Sequence, residues 1–357
     1  MDATLVALLT ALGIAILIRI AISRHKRKSD TDKDYQVSTH NLEYDTIVPP
    51  AILPTKPHTG QKTAMISNVC KSYNGKAVVN NVSFDIYEGE SFGMVGPNGA
   101  GKTTTIRMMM DIVKPDSGEI YLLGEPLNEE TKNLIGYLPE ERGLYRKSTV
   151  TNTLTYLATL KNMETRLAKD RAQEFLSHSD MLAHKDKNIE ELSKGMGQII
   201  QFIGTILHDP QVIVLDEPFS GLDPVNSKLL KQMILDLKSQ GKSVILSSHM
   251  MNEVETMCDR VLMINKGVVA LYGNLAEIKS RYRNNSVLVD CDHLPKNLPG
   301  ISRYTRIKDL FEITLDGTSS PQDVLSTLVT NGITVNRFEI STPSLEDIFI
   351  QVAKEGR

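Results

Sequence analysis

Nine residues, Gly96-Pro-Asn-Gly-Ala-Gly101-Lys102-Thr103-Thr104, constrain this chain more than any other feature. They fit Gly-x-x-x-x-Gly-Lys-[Ser/Thr], a loop whose glycines let backbone N–H groups turn inward onto phosphate oxygens. Such a loop works only between a buried strand and the N-terminus of a helix, where the orphan N–H groups and the helix dipole favour an anion. The flanks comply. Ser91-Phe-Gly-Met-Val95 is short and apolar, and Thr103 to Asp111 is spaced for a helix. Gly96, Asn98, Gly99, Gly101, Lys102, Thr103 and Thr104 are therefore candidate nucleotide contacts. Lys102 is of the length to reach the β- and γ-phosphates, and the Thr103 hydroxyl is a candidate Mg²⁺ ligand.

Two further segments have the same logic. Gln211-Val-Ile-Val-Leu215-Asp216-Glu217 is a buried-strand pattern ending in two acids. Beside a phosphate loop, Asp216 can hold Mg²⁺ through water and Glu217 can polarise an attacking water. Ser243-Val-Ile-Leu-Ser-Ser-His249 is another such strand, ending in a histidine. Open α/β sheets bind ligands at the carboxyl ends of their strands, where His249 could contact the γ-phosphate. A lone strand-end histidine is otherwise a surface residue. Ala64 to Tyr73 and Lys76 to Tyr87 alternate as a hairpin about Asn74-Gly75. Thr151 to Ser179 has helical spacing.

The chain has 357 residues, room for one large α/β domain and a smaller one. A net charge of −3 gives no sign of a nucleic-acid binder, and none is expected as a partner. Cys70, Cys258 and Cys291 lie far apart, which predicts free thiols and no zinc site. His178, His184 and His208 lack ligand spacing and are expected at the surface or in caps. Arg166, Lys169 and Arg171 are expected as solvated helix positions, and Met108 to Met110 as packing.

Leu5 to Ile22 is apolar except for Thr10, Gly13 and Arg19, and Arg24-His-Lys-Arg-Lys28 follows. Eighteen helical residues reach about 27 Å, close to the hydrocarbon thickness of a bilayer. The basic flank predicts an anchor with the rest of the chain on the cytoplasmic side. A helix lying on the membrane or on a partner is the alternative. Residues 29–62 are polar, contain Pro49, Pro50, Pro54 and Pro57, and are expected as a linker.

From about Met65 to Arg283 the chain resembles an ATP-binding cassette (ABC) ATPase subunit, with that family's motifs in order. Tyr73 stands where the family stacks an aromatic on adenine. Leu192-Ser193-Lys194-Gly195-Met196 resembles the family signature, Ser220-Gly-Leu-Asp223 the loop after the catalytic Glu, and His249 the switch histidine. The resemblance implies a fold with a helical signature subdomain. It also implies that Ser193 and Gly195 contact the ATP of an opposing subunit and that Asp223 belongs to a dimer loop. Two positions depart from the common pattern. Lys194 and Met196 replace a Gly and a Gln in the signature, and Glu140 replaces the usual Gln of the coupling loop, where it remains a candidate Mg²⁺ ligand. Both departures resemble the ATPases of type 2 exporters, which move drugs, peptides, lipids or sodium ions.

After Arg281 the composition changes. Ser286 to Asp290, Tyr304 to Arg306, Leu310 to Leu315 and Ile333 to Ile340 are expected strands. Ser320-Pro321 starts one helix and Pro343-Ser344-Leu-Glu-Asp347 another. This unit resembles the small C-terminal domain of the same exporter ATPases. The expected organisation is therefore an anchor over 1–28, a linker over 29–62, a P-loop ABC-type α/β domain over 63–283 and an α+β domain over 284–357. The expected function is ATP hydrolysis with Mg²⁺ by Glu217, His249 and Lys102. It would act in a head-to-tail dimer, with a second copy of this chain preferred to a different one. The dimer would drive a separate multi-span permease from the cytoplasmic face of the membrane. The alternatives are an ABC ATPase acting on ribosomes or nucleic acid, and a weakly hydrolysing regulatory cassette.

Overall fold

The computed structural model describes residues 51–52, 60–126, 128–141, 143–282, 286–294, 299–307 and 309–355. The expected anchor, 1–28, lies outside the described residues. Among the described residues no helix is long and apolar enough to cross a membrane.

The chain enters through β1 (Ala51–Ile52), β2 (Lys62–Tyr73), β3 (Lys76–Tyr87) and β4 (Ser91–Val95). Within the expected linker, Ala51 and Ile52 pair in parallel with Leu271 and Tyr272, and Lys62 already belongs to β2. The β2–β3 turn has Asn74 at φ 52° and Gly75 at φ 77°. Two successive positive φ values match the right-handed strand twist, which is why Asn-Gly sits there. β5 (Ser117–Leu122) completes an antiparallel sheet of order β3-β2-β5.

The second sheet has seven strands. Besides β1 and β4 these are β6 (Ile135–Leu138), β7 (Val212–Asp216), β8 (Ser243–Ser248), β9 (Arg260–Asn265) and β10 (Val268–Asn274), in the order β1-β10-β9-β4-β8-β7-β6. Only β9 and β10 run antiparallel to one another. Every residue of β4, β7 and β8 is buried, so these strands are covered on both faces, with apolar centres and polar residues only at their ends. Along β7 the two faces alternate. Val212 and Val214 join the cluster under β2 and β3, while Ile213 and Leu215 join the one that holds Leu154, Leu176 and Phe202 of the helical region.

That helical region covers the range expected over 151–179 in two helices. It forms Val150–Thr159 and Thr165–His178. Asn162 sits at φ 62°, a conformation Asn tolerates and a helix does not. The Glu164 carboxylate then accepts from the N–H groups of Arg166 and Leu167 and starts a new helix. Arg171 is less solvated than expected, because its guanidinium donates to the Leu207 carbonyl at 3.1 Å. A cation there complements the C-terminal end of the helix Lys194–Ile206.

His208, expected at the surface or in a cap, is half-buried just after the C-cap residue Leu207. Its Nε2 lies 3.3 Å from the Ile135 carbonyl oxygen, and its Nδ1 is buried without a partner. Burial, helped by the Lys161 ammonium, lowers its pKa from 6.5 to about 4. The folded state keeps it neutral, while the unfolded chain takes up a proton as pH falls through 6.5. Stability linked to His208 is therefore present above that value and lost between about 6.5 and 4. His208→Leu is expected to lose less stability than the parent between pH 7.5 and pH 5, read from urea midpoints at ~25 °C. Equal losses would refute this.

One buried cation ties the two sheets. Arg260 of β9, 2% exposed, pairs with Glu90 at 3.1 Å, donates to the Asp85 carbonyl at 3.1 Å, and donates to the Tyr272 hydroxyl. Its guanidinium lies 5.0 Å from the Tyr87 ring centroid and 4.8 Å from that of Tyr272. Asp85 and Tyr87 belong to β3, so this cluster fixes the antiparallel sheet against the main one.

The C-terminal region has β11 (Ser286–Cys291), β12 (Ile301–Ile307), β13 (Leu310–Leu315) and β14 (Val335–Ile340), all antiparallel, in the order β12-β13-β11-β14. The helix Pro321–Thr330, capped by Ser320, buries Val324 and Leu328 against Val287, Val289, Phe311 and Ile313. The last helix, Leu345–Glu355, packs elsewhere. Leu345 and Ile348 join the cluster that contains Val254 and Leu275. The Leu345 N–H donates to the Glu255 carboxylate at 2.9 Å.

Candidate nucleotide site

The phosphate loop runs from the end of β4 to the helix Lys102–Met109. Its glycines are demanded by close backbone approach. A Cβ on Gly96, at φ 152°, would stand 2.1 Å from the Ile264 carbonyl oxygen, and one on Gly101, at φ 110°, 2.7 Å from that of Val78. Asn98, Gly99, Gly101, Lys102, Thr103 and Thr104 line a cavity of about 250 Å³, with Val78, Glu140 and Glu217 among its other walls. Gly96 does not line the cavity, but its carbonyl accepts from Lys102 Nζ at 2.9 Å.

Lys102, 5% exposed, also lies 3.4 Å from Glu217 Oε1. The other carboxylate oxygen of Glu217 is 2.8 Å from His249 Nδ1. Glu217 sits at φ 49°, with its N–H donating to Ser247 Oγ at 3.1 Å. A non-glycine residue in the left-handed region stores strain of about 1–3 kcal/mol, which is characteristic of residues held for chemistry. The conformation turns Glu217 from the strand end towards both Lys102 and His249.

Asp216 is fully buried. Its Oδ1 accepts from Thr103 Oγ1 at 3.2 Å and Ser247 Oγ at 2.5 Å, while its Oδ2 is buried with no partner. Burial raises its pKa, and the two hydroxyl donors oppose that rise. An orphaned carboxylate oxygen, on a side chain bonded to the hydroxyl of the cavity residue Thr103, fits Mg²⁺, which takes few protein oxygens and keeps water and phosphate as its other ligands. Among the described residues no group of three His, Cys, Asp or Glu side chains closes on one point. Glu140 is exposed and lines the same cavity, and its charge acts on Asp216.

Ser193, Gly195 and Asp223 lie outside these walls but close to one another. Ser193 caps the helix Lys194–Ile206, its hydroxyl accepting from the Met196 N–H at 3.2 Å. Asp223 caps Pro224–Ser239. A Cβ on Gly195 would stand 3.0 Å from Asp223 Oδ2. Tyr73, at the tip of the hairpin, is 44% exposed and is not among the lining residues.

The sequence model described as ABC transporter matches residues 79–220, and that of the C-terminal domain of DrrA1-3-like ATP-binding proteins matches 273–353. The chain is 40% identical to "Uncharacterized ABC transporter ATP-binding protein YhaQ" of Bacillus subtilis (strain 168), over 80% of this chain and 97% of that protein. This chain belongs to the ABC transporter ATP-binding proteins. It is an ATPase. It is also 32% identical to the Nod factor export ATP-binding protein I of Rhizobium sp. (strain N33), over 80% of this chain and 95% of that protein. The solved ATP-binding subunit of an ABC transporter superposes with a TM-score of 0.58 at 27% identity, covering 62% of this chain and 93% of that one.

Three side chains of this ABC ATPase site escaped the motif reading. Ser247 holds both Asp216 and the Glu217 backbone. Its signal was a pair of serines following the apolar run Val244-Ile-Leu246. Gln198 and Gln201 bond to the turn after Glu217 and the loop after Glu140. Nothing in their spacing announces that, because the partners lie far away in sequence.

Proposed function

We propose that this chain is the energising subunit of an ABC exporter. Two copies associate head to tail, each offering a phosphate loop to one ATP and Ser193 with Gly195 to the other. The observation that carries the reading is the division of one chain into two half-sets. Lys102, Thr103 and Glu217 line the cavity and are bonded to Asp216 and His249, while Ser193, Gly195 and Asp223 form a separate group away from its walls. Tyr73 extends the hairpin to stack on adenine. The name of the Rhizobium relative supports export as the direction.

The geometry suggests the sequence of events. Lys102 Nζ lies 3.4 Å from Glu217 Oε1. An entering γ-phosphate draws Lys102 away and frees the carboxylate to polarise water. His249 keeps the Glu217 oxygen oriented throughout. Thr103, Asp216 and Glu140 would hold Mg²⁺, which neutralises charge on the β- and γ-phosphates when bound. The loop around Glu140 conveys closure to a separate multi-span permease on the cytoplasmic face of the membrane, and Leu5 to Ile22 would tether the chain to that membrane.

The test is purification of C-terminally tagged Glu217→Gln protein from native membranes in mild detergent with MgATP. A co-purifying multi-span membrane protein is the expected result. Recovery with ribosomes or nucleic acid, and no such protein, would overturn the exporter reading.

A further inference from the structure

The helix Lys194–Ile206 buries two glutamines, Gln198 at 2% and Gln201 at 6% exposure. Three positions apart, they share one face of the helix. Gln198 Nε2 donates to the Pro218 carbonyl at 3.3 Å, immediately after Glu217. Gln201 Nε2 donates to the Glu141 carbonyl at 3.3 Å, immediately after Glu140. Pro218 has no N–H, so its carbonyl is the only backbone hydrogen-bonding handle at that residue.

These amides are costly ways to fill space. Gln201 Oε1 is buried with no partner, a cost that an apolar side chain of equal volume would avoid. The same helix buries Ile199, Ile200, Phe202 and Ile203, so its packing does not lack apolar groups. A local rule broken in this way points to what the other end of the amide holds. The helix begins at Ser193 and carries Gly195 in its first turn. One rigid rod therefore touches the signature, the turn that carries the general base, and the loop that carries Glu140.

We propose that Gln198 and Gln201 are positioning residues that lock the signature helix to the Glu217 turn and the Glu140 loop. Engagement of the signature by the ATP of a second copy then sets the position of this copy's Glu217. The inference rests on the head-to-tail dimer proposed above. Its physical basis is a short lever. A shift of the helix pulls on the Pro218 carbonyl, and Glu217, held at φ 49° by Ser247 and His249, follows by a fraction of an ångström. Displacements of that size change how well a base meets its water. The Gln201 bond makes the same helix responsive to the Glu140 loop.

The test uses the full chain with its co-purified permease. Gln198→Met and Gln201→Met keep side-chain length and remove the donor. For Gln198→Met, kcat is expected to fall at least ~10-fold, KM for ATP to stay within ~2-fold, and the Hill coefficient for ATP to drop towards non-cooperative hydrolysis. Gln201→Met is expected to lower the Hill coefficient as well. The thermal midpoint should stay the same or rise, whereas a merely structural role would lower it and spare the cooperativity. Unchanged kcat and Hill coefficient in Gln198→Met would overturn the proposal. So would a rate loss matched by an equal loss of folded protein. ATP-dependent dimerisation of Glu217→Gln protein, followed by light scattering with and without Gln198→Met, separates the two readings. Absence of a dimer in the parent refutes the head-to-tail reading and the coupling with it. Dimers in both, with cooperative hydrolysis intact in Gln198→Met, refute the coupling alone.

Discussion

Glu217→Gln is expected to lower kcat for ATP hydrolysis by ~10²–10⁴-fold, the usual contribution of a positioned general base. ATP affinity should change little. The substitution preserves the shape of a side chain that is 7% exposed and leaves Lys102 its bond to the Gly96 carbonyl at 2.9 Å. It removes the carboxylate that Lys102 approaches at 3.4 Å, so the ammonium is freer for phosphate and binding should hold or tighten. The His249 contact, 2.8 Å in the parent, can survive through the amide, which keeps the turn in place. Phosphate release under steady-state conditions gives the rate, and titration with a fluorescent ATP analogue gives the affinity. A rate within tenfold of the parent would remove Glu217 from the role of base. A collapse of affinity would instead mean that the carboxylate shapes the binding site.

Arg260→Ala is expected to destabilise the fold by ~3–5 kcal/mol, the cost of breaking a buried ion pair from one side. Glu90, 4% exposed, would lose the guanidinium that offsets its burial. Burial raises the Glu90 pKa even with Arg260 present, so without it the carboxyl is expected to take a proton more readily. The Asp85 carbonyl and the Tyr272 hydroxyl would lose a donor as well, and the Tyr87 and Tyr272 rings their stacking partner. Urea unfolding of single and double variants checks the account. Glu90→Met with Arg260→Met should recover part of the loss, because an apolar pair of similar volume leaves no uncompensated charge. Failure of the double variant to recover anything would mean that the aromatic stacking, more than the ion pair, holds the two sheets together.

The motif segments were legible because their chemistry is local. The phosphate loop, the strand ending in Asp216 and Glu217, and the strand leading to His249 each carry their constraint within ten residues or fewer. Glycines at positive φ, apolar runs buried on both faces, and the Ser320 cap before Pro321 are readable for the same reason. Even the hairpin turn at Asn74-Gly75 follows from backbone sterics alone.

What the linear pattern could not supply depends on residues distant in sequence. The helical spacing over 151–179 did not show the break at Asn162, because one Asn and one capping Glu weigh little in a periodicity. His208 was read as a surface or cap residue and Arg171 as solvated, because their surroundings depend on Ile135 and Leu207 being brought beside them. The Arg260 cluster joins β9 to β3 across 175 positions of chain. Gln198 and Gln201 reach carbonyls 20 and 60 positions away. A buried polar group is defined by the partner that offsets its lost hydration, and that partner is chosen only when the sheets and helices pack. Propensity and motif spacing act over a few residues, so they specified the chemistry of this ATPase. Desolvation acts in three dimensions, so the packing alone decided how that chemistry is held and linked.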